Sequence, residues 1–345
     1  MLEINGNLGE AGGQIVRSSL TLSMLTQTPF RMINVRAGRK PTGLKKQHQT
    51  AVSAAARVCN ACVTGNSLGS GTFTFEPNAI QSGTYRFDIG TAGSTTLIMQ
   101  TLLPALMFAD GTFEIEVTGG THNPWAPTFD FLQKAYQPIV RQMGGDVRLD
   151  ISRIGFYPKG GGQISADVQP AESWKPLDLV KRGKEVSRVV RPLVAKLPLH
   201  IAERECRTIE TTDGWKKAKY RVEENNNSFS PGNVVTIELS FEKITEVFTA
   251  LGKQGTPAQK VAKTALRAAT EYLESEAVVG DYLADQLMLP MAIAADKFGH
   301  TYRYRTHAPS DHSTTHAALI GQFLDVEVDM QPQGENDYVF SIHRS

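Results

Sequence analysis

The sequence predicts an α/β chain of the α+β kind: one large domain of three repeated units, with a small α/β domain inserted into it. Three observations predict this. An apolar helical segment recurs, as Gly12-Gly-Gln-Ile-Val-Arg17-Ser-Ser-Leu, as Gln100-Thr-Leu-Leu-Pro-Ala-Leu and as Gln286-Leu-Met-Leu-Pro-Met-Ala. Each copy leads into a strand-like run, a polar loop and a second helix, a βαβα-like order whose strand-end joints are where ligand sites collect. The copies are unevenly spaced, 83 residues from Arg17 to Gln100 but 186 from Gln100 to Gln286, and the excess of 103 is the size of one small domain.

In chain order, the first unit (about 1–80) has its apolar helix from Gly12, a strand over 30–35, the loop Arg36-Ala-Gly-Arg-Lys-Pro-Thr-Gly43 and a second helix over 44–59. The second unit (about 81–182) opens on small residues at 90–94 before the Gln100 helix. A strand over 112–117, the loop Thr118-Gly-Gly-Thr-His-Asn-Pro-Trp-Ala-Pro127 and a helix over 129–143 follow. The insert, 183–276, reads as a strand over 185–194, a helix over 201–211, a turn at 225–232 and a strand over 234–241. Its last helix opens with Thr256 as N-cap and Pro257 at N1, and shows Val261, Ala265, Leu266, Ala269, Tyr272 and Leu273 on one apolar face. The third unit, 277–345, has the Gln286 helix from Gly280, a strand over 301–305, the loop Thr306-His-Ala-Pro-Ser-Asp-His312 and a helix over 313–323. The large domain is thus 1–182 together with 277–345.

Charge is the next signal. The 345 residues hold 36 Lys+Arg against 35 Asp+Glu, a net charge of +1 that by itself favours no partner. Resolved along the chain, the balance is polarised. From Ala11 to Phe75 there is no Asp or Glu, but Arg17, Arg31, Arg36, Arg39, Lys40, Lys45, Lys46 and Arg57 make that stretch +8 and leave −7 for the rest. A basic region without local acids attracts the phosphates of nucleotides or nucleic acid, and Arg36 and Arg39, in one loop with Gly38, Pro41 and Gly43, suit a bidentate grip on an anion. Three cysteines, an odd number, make no disulfide framework and favour a reducing, cytoplasmic setting. The opening Met1-Leu-Glu-Ile-Asn-Gly6 has no signal-peptide pattern. The longest apolar run, 97–109, is short and holds Gln100 and Pro104, so neither export nor a membrane span is expected.

One loop offers a nucleophile. In Ala308-Pro-Ser-Asp-His312-Ser-Thr-Thr-His316, either Ser310 or Asp311 can cap the helix that starts there, which puts His312 in its first turn. The helix dipole disfavours imidazolium at that point, and the exposed N–H groups can hold phosphate oxygens. A neutral imidazole beside bound phosphate is a competent nucleophile on phosphorus. The other readings are an ordinary surface histidine, and a metal pair with His316 one turn later, which lacks the Glu of a zinc-protease helix. Glu10-Ala-Gly-Gly and Lys159-Gly-Gly-Gly162 match neither a P-loop nor a dinucleotide fingerprint and read as turns. Cys59-Asn-Ala-Cys62 stands at a helix end with no second pair, which argues against zinc or redox use. Glu10, the last carboxylate before the acid-free stretch, reads either as a metal ligand near Arg17 or as a surface Glu.

Six ordered motifs together resemble the RNA 3′-terminal phosphate cyclases: Glu10-Ala-Gly-Gly-Gln-Ile-Val-Arg-Ser, Arg36-Ala-Gly-Arg39, Gly119-Gly-Thr, Gly155-Phe-Tyr-Pro-Lys-Gly-Gly-Gly162, Tyr282-Leu-Ala-Asp-Gln286 and Pro309-Ser-Asp-His312. The resemblance covers nearly the whole chain, including the Ile201-Ala-Glu-Arg-Glu-Cys segment of the insert. It implies three two-helix, four-stranded units and an inserted α/β domain. It also implies a reaction in which His312 takes AMP from ATP, passes it to an RNA 3′-phosphate, and the neighbouring 2′-OH displaces it to leave a 2′,3′-cyclic phosphate. On that basis Glu10 is the carboxylate beside a divalent cation, Mg or Mn. Arg17, Arg36, Arg39 and Gln47 line the phosphate path; Gln100, Pro127 and the run Tyr282, Leu283, Ala284, Asp285, Gln286 form the nucleotide pocket. ATP and an RNA bearing a 3′-phosphate are the implied partners, with no membrane and with room for a homodimer.

The chain departs from the family at Ile154, where a basic residue is usual, and at Asp311, an added negative charge before the histidine. Two alternatives accompany the cyclase: a non-catalytic cyclase-like ribosome-assembly factor, whose kind lacks the histidine, and an enolpyruvyl transferase, built from related repeats and needing no ATP.

Overall fold

Alternating exposure along short strands, and small polar residues along a buried helix, govern how the first unit assembles. The computed structural model describes residues 1–9, 12–171 and 173–345. The first unit runs β1 (Leu2–Asn5), α1 (Gln14–Thr26), β2 (Phe30–Ile33), α2 (Lys46–Val58), β3 (Cys62–Thr64) and β4 (Phe73–Glu76). Phe30, Met32, Phe73 and Phe75 alternate inward on β2 and β4 and are buried, the pattern of a sheet with one covered face. In α1, Ser18, Ser19, Thr21 and Ser23 are buried with Leu20, Leu22 and Met24, and these short side chains let neighbouring helices come close. Thr21 Oγ1 donates across the helix interface to the Thr101 carbonyl at 2.6 Å.

The second unit comprises β5 (Gly83–Asp88), α3 (Thr95–Leu106), β6 (Phe113–Gly119), α4 (Phe129–Phe131), a π-turn at Leu132–Tyr136, α5 (Gln137–Met143), β7 (Asp146–Arg153) and β8 (Gly162–Gln169). The single helix expected over 129–143 is therefore interrupted, and Pro138, which cannot donate to the turn before it, stands just past the break. After the short β9 (Asp178–Leu179) come β10 (Glu185–Ala195), α6 (His200–Glu210), β11 (Lys219–Tyr220), β12 (Glu223–Glu224), β13 (Gly232–Phe241), β14 (Thr245–Leu251) and α7 (Ala258–Glu274). The cap expected at Thr256 falls instead on Pro257, whose side chain offers no acceptor, so α7 starts without a side-chain cap bond. The last unit holds α8 (Asp281–Phe298), β15 (Tyr302–Thr306), α9 (Asp311–Ile320), β16 (Val326–Gly334) and β17 (Asp337–Arg344).

Among the described residues, three of the four sheets share one connectivity, in the orders β1-β2-β4-β3, β5-β6-β8-β7 and β9-β15-β17-β16. In each, the first two strands run parallel, while the other two pairings are antiparallel. β9 lies in the stretch read from sequence as the end of the second unit, yet Asp178 and Leu179 pair with Arg303 and Tyr304 of the third sheet. Two residues of strand, separated from their partner by more than a hundred, carry too little periodicity to be assigned from sequence. The fourth sheet, centred on β10, β13 and β14, packs α6 and α7 on one face. Val261, Ala265, Leu266, Ala269 and Tyr272 of α7 are buried there with Leu273 partly so. The three similar units share one apolar core, in which α1 packs on α2, α3 and α9, and α8 packs on α3 and α9.

Candidate active site

Helix α9 begins where the sequence puts its nucleophile. Of the two residues that could cap it, Ser310 does so: its Oγ accepts from the Ser313 N–H at 3.2 Å, and its own N–H donates to Ser313 Oγ at 2.8 Å. Asp311 is then the first helical residue and His312 the second. His312 Nδ1 lies 2.7 Å from Oε1 of Gln14, the first residue of α1. The same amide extends its Nε2 to His316 Nδ1 at 3.1 Å, and His316 Nε2 lies 2.9 Å from Ser18 Oγ.

This chain of contacts selects a tautomer. Burial pushes His316 down to about 3, with Arg17 and His312 adding repulsion, so its ring is neutral at ordinary pH. Gln14 Nε2–H donates to His316 Nδ1, so the His316 proton sits on Nε2 and is donated to Ser18. Gln14 Oε1 only accepts, so His312 must present Nδ1–H to it. In neutral His312 the lone pair is therefore on Nε2. The metal pair considered for His312 and His316 does not survive: His316 is buried and both of its ring nitrogens are hydrogen-bonded to protein.

Arg17 stands one turn into α1, half-buried, and desolvation lowers it to about 10, still a cation at neutral pH. Gly13 makes room for it: a Cβ there would meet Arg17 Nη1 at 2.9 Å and His48 Nε2 at 2.5 Å. His48 sits in the first turn of α2, where Nδ1 accepts the Lys45 N–H at 3.2 Å, and it is pushed down to about 3 by burial and then by Arg17, Arg36 and Lys45. The starts of α1 and α9 thus line one small pocket around Gly12, Gln14 and His312, and the start of α2 meets α1 beside it, where His48 lies against Gly13.

The basic loop divides its labour differently from expectation. Arg36 is 7% exposed, with left-handed backbone (φ 51°), and its Nη1 donates to the carbonyls of Pro41 and Gly43 at 3.0 and 3.1 Å. It braces its own loop, whereas Arg39 stands exposed on it. A shared anion grip by the pair needs both heads turned outward, and the loop carbonyls take one nitrogen of Arg36. Gln47 Oε1 accepts the Ser94 N–H at 2.9 Å, Ser94 Oγ lies 2.7 Å from Thr96 Oγ1, and Thr96 donates to the Pro127 carbonyl at 2.7 Å. One turn further along α3, Gln100 is 7% exposed and neither of its amide atoms has a partner among the described residues. A buried amide left open in this way is costly unless something bound to the protein satisfies it.

At the start of α8, Tyr282 is largely exposed, Leu283 and Ala284 are buried, and Asp285 and Gln286 are half-buried. The Ala284 carbonyl accepts from Tyr304 Oη at 3.3 Å. The helix entry is held by Glu246 of β14, whose Oε1 accepts the Gly280 N–H at 2.7 Å; burial raises that carboxyl to about 7. Glu10 lies outside the described residues. The cysteine pair offers no chemistry: Cys59 is buried, with its thiol pushed up to about 11 by burial and its Sγ–H donated to the Ala55 carbonyl, while Cys62 is exposed and unbonded to it. Among the described residues, the one trio of ligand atoms close enough for a metal is Glu327, Asp329 and His343, on β16 and β17 rather than at His312.

Sequence reasoning missed Gln14, Ser18 and His48 as parts of this site, and read His316 only as a metal ligand. The four-residue spacing of Gln14 and Ser18, and of His312 and His316, does carry a signal, since i and i+4 share a helix face. That two such faces meet is a tertiary fact.

The family model for RNA 3′-terminal phosphate cyclase matches residues 8–330. The chain is similar to the RNA 3′-terminal phosphate cyclase of Koribacter versatilis (strain Ellin345), 45% identical over 333 residues, covering 96% of this chain and 92% of the relative. It is 44% identical over 335 residues to that of Pseudomonas fluorescens (97% and 96% covered) and 42% identical over 331 residues to that of Salmonella paratyphi C (96% and 94% covered). A solved enolpyruvyl transferase, NikO from Streptomyces tendae, aligns over 99% of this chain and 48% of its own at 11% identity, with a TM-score of 0.33 that is too low to bear on the fold or the function. No helix among the described residues is long and apolar enough to cross a membrane.

Proposed function

Because the chain belongs to the RNA 3′-terminal phosphate cyclase family, we propose that it spends ATP to close an RNA 3′-phosphate onto the adjacent 2′-OH, releasing AMP and diphosphate. The observation that carries this reading is His312 at the N-terminus of α9, with Nδ1–H committed to Gln14 and its lone pair on Nε2.

In the first step Nε2 attacks the α-phosphorus of ATP. An N–P bond forms, the bond to the β-phosphate oxygen breaks and diphosphate leaves. In the second, an oxygen of the RNA 3′-phosphate attacks the same phosphorus and imidazole departs. In the third, the 2′-OH attacks the RNA phosphorus, gives up its proton and expels AMP. Gln14 keeps Nε2 in line throughout by fixing the ring. Arg17 and Arg39 offset phosphate charge, Arg36 shapes the loop that carries Arg39, and Gln47 ties that loop's helix to α3. Gln100 supplies an unspent amide, and Pro127 with the run Tyr282, Leu283, Ala284, Asp285, Gln286 bounds the nucleotide. Glu10 is proposed as the carboxylate beside a Mg or Mn ion that would shield charge on the α-phosphate; no described cluster at His312 supports that assignment, and no step above is routed through the ion. The reaction is placed in the cytoplasm, in keeping with three unpaired cysteines.

Incubation with α-labelled ATP and a divalent cation tests the mechanism. An acid-labile, alkali-stable AMP adduct is expected on the protein, absent from His312→Ala; a chain that stays unlabelled at saturating ATP ends the proposal.

A further inference from the structure

Three of the most exposed aromatic rings of the molecule stand on loops that contacts join into one rim. Trp125 is 99% exposed, Tyr157 72% and Phe229 51%. A single exposed apolar side chain needs no explanation. An indole wholly in water on left-handed backbone, φ 70°, does, because that conformation costs a bulky residue about 1–3 kcal/mol and the ring packs on nothing in return.

The joints are specific. Asn123, two residues before Trp125, donates to the Ala92 carbonyl. Gly160 presses on the same turn, so closely that a Cβ there would lie 2.7 Å from Ala92 Cα. The Phe229 ring occupies the space where a Cβ on Gly161 would sit, the Lys159 N–H donates to Ser230 Oγ at 3.1 Å, and the Arg153 guanidinium lies 4.6 Å from the Phe229 ring centre. Segments 91–94, 120–127, 153–162 and 225–232 therefore make one surface, running from Pro127 at the candidate nucleotide pocket to the turn that leads into β13. None of the four contains Asp or Glu, while Arg153 and Lys159 are cationic. Asp130 and Glu223 border these segments in the pocket that Arg153 shares with His122 and Asn225, and both are paired with Arg191; aromatic faces interleaved with cations are what a single nucleic-acid strand requires, since bases stack and phosphates are neutralised.

We infer that this rim binds the single-stranded RNA that precedes the reacting 3′-end, with Trp125, Tyr157 and Phe229 as stacking platforms and Arg153 and Lys159 facing phosphates. The inference rests on the cyclase reading for the position of the 3′-phosphate. It also gives the segment 225–232 a direct role in substrate binding. A duplex hides its base faces and is not accommodated.

Tryptophan fluorescence during titration with a 3′-phosphorylated single-stranded oligoribonucleotide, without ATP, tests it. Of the three tryptophans, Trp174 and Trp215 are 5% and 3% exposed, so the titration reads Trp125. Quenching is expected, and Trp125→Ala should lose the signal and weaken binding in a competition assay about 5- to 100-fold. Trp125→Gly, which suits the left-handed backbone, should weaken it equally and guards against a folding artefact. Phe229→Ala should weaken a long oligomer but not a 3′-phosphorylated dinucleotide, and all three variants should still form the AMP adduct. Unchanged RNA affinity in both Trp125→Ala and Phe229→Ala, or equal affinity for a duplex, overturns the track. Loss of ATP binding in Trp125→Ala overturns it too, by assigning the indole to adenine. Failure of the unsubstituted protein to form the adduct removes the cyclase mechanism instead, while the titration still reports on the rim.

Discussion

Gln14 does for His312 what no residue adjacent to it in sequence could do, because an amide that accepts at Oε1 and donates at Nε2 fixes two imidazoles at once. Gln14→Leu should leave ATP affinity nearly unchanged and slow adduct formation about 100-fold, chiefly because the His312 ring is no longer held in line with the phosphorus and to a lesser degree because neutral His312 then divides between tautomers. ¹⁵N–¹H correlation spectra of the His312 ring check this directly: a ring still protonated on Nδ1 alone in the variant would show that Gln14 is not what holds it. The two loop arginines should separate by assay. Arg36→Ala strips donors from the Pro41 and Gly43 carbonyls and should cost about 1–3 kcal/mol in urea unfolding. Arg39→Ala should appear in the KM for ATP or RNA, and if neither constant moves, the loop's charge is merely solvated.

At the scale of elements, the site is an assembly of helix starts. The cap of α9 orients His312, so Ser310→Ala should cost about 1 kcal/mol of stability and slow adduct formation more than a cap far from the chemistry would; full activity with lowered stability would separate the two roles. The α1–α3 contact is equally local in cause. Thr21→Val keeps the shape but removes the hydroxyl that donates to the Thr101 carbonyl across the helix interface, for a loss of about 1 kcal/mol read from the denaturation midpoint.

Across the whole molecule, buried titratable groups set opposing pH trends. The fold keeps His48 and His316 neutral, each pushed down to about 3 from an ordinary 6.5, so their contribution is complete above about pH 6.5. It is lost as pH falls, by about 1.4 kcal/mol per unit for each ring. Glu246, raised to about 7 from 4.5, acts the other way: its contribution is complete below about pH 4.5 and is lost as pH rises through 7. Glu246→Gln, which can still accept the Gly280 N–H, should therefore gain on the unsubstituted protein as pH rises from 4.5 to 7 in urea unfolding. An unchanged difference across that range would mean that Glu246 is ionised throughout.

The sequence by itself determined the helices and strands with strong periodicity, the acid-free basic stretch and the cap–histidine start of α9, because each is written within a few residues of itself. It could not show that β9 belongs with β15, that Pro138 follows a π-turn, or that Arg36 turns inward, because each depends on partners distant in the chain or on carbonyls of a folded loop. The same holds for the site. His312 was legible as a nucleophile from its place at a helix start, but its protonated nitrogen was decided only where α1 and α9 meet, by one amide between two imidazoles whose residues lie about three hundred positions away.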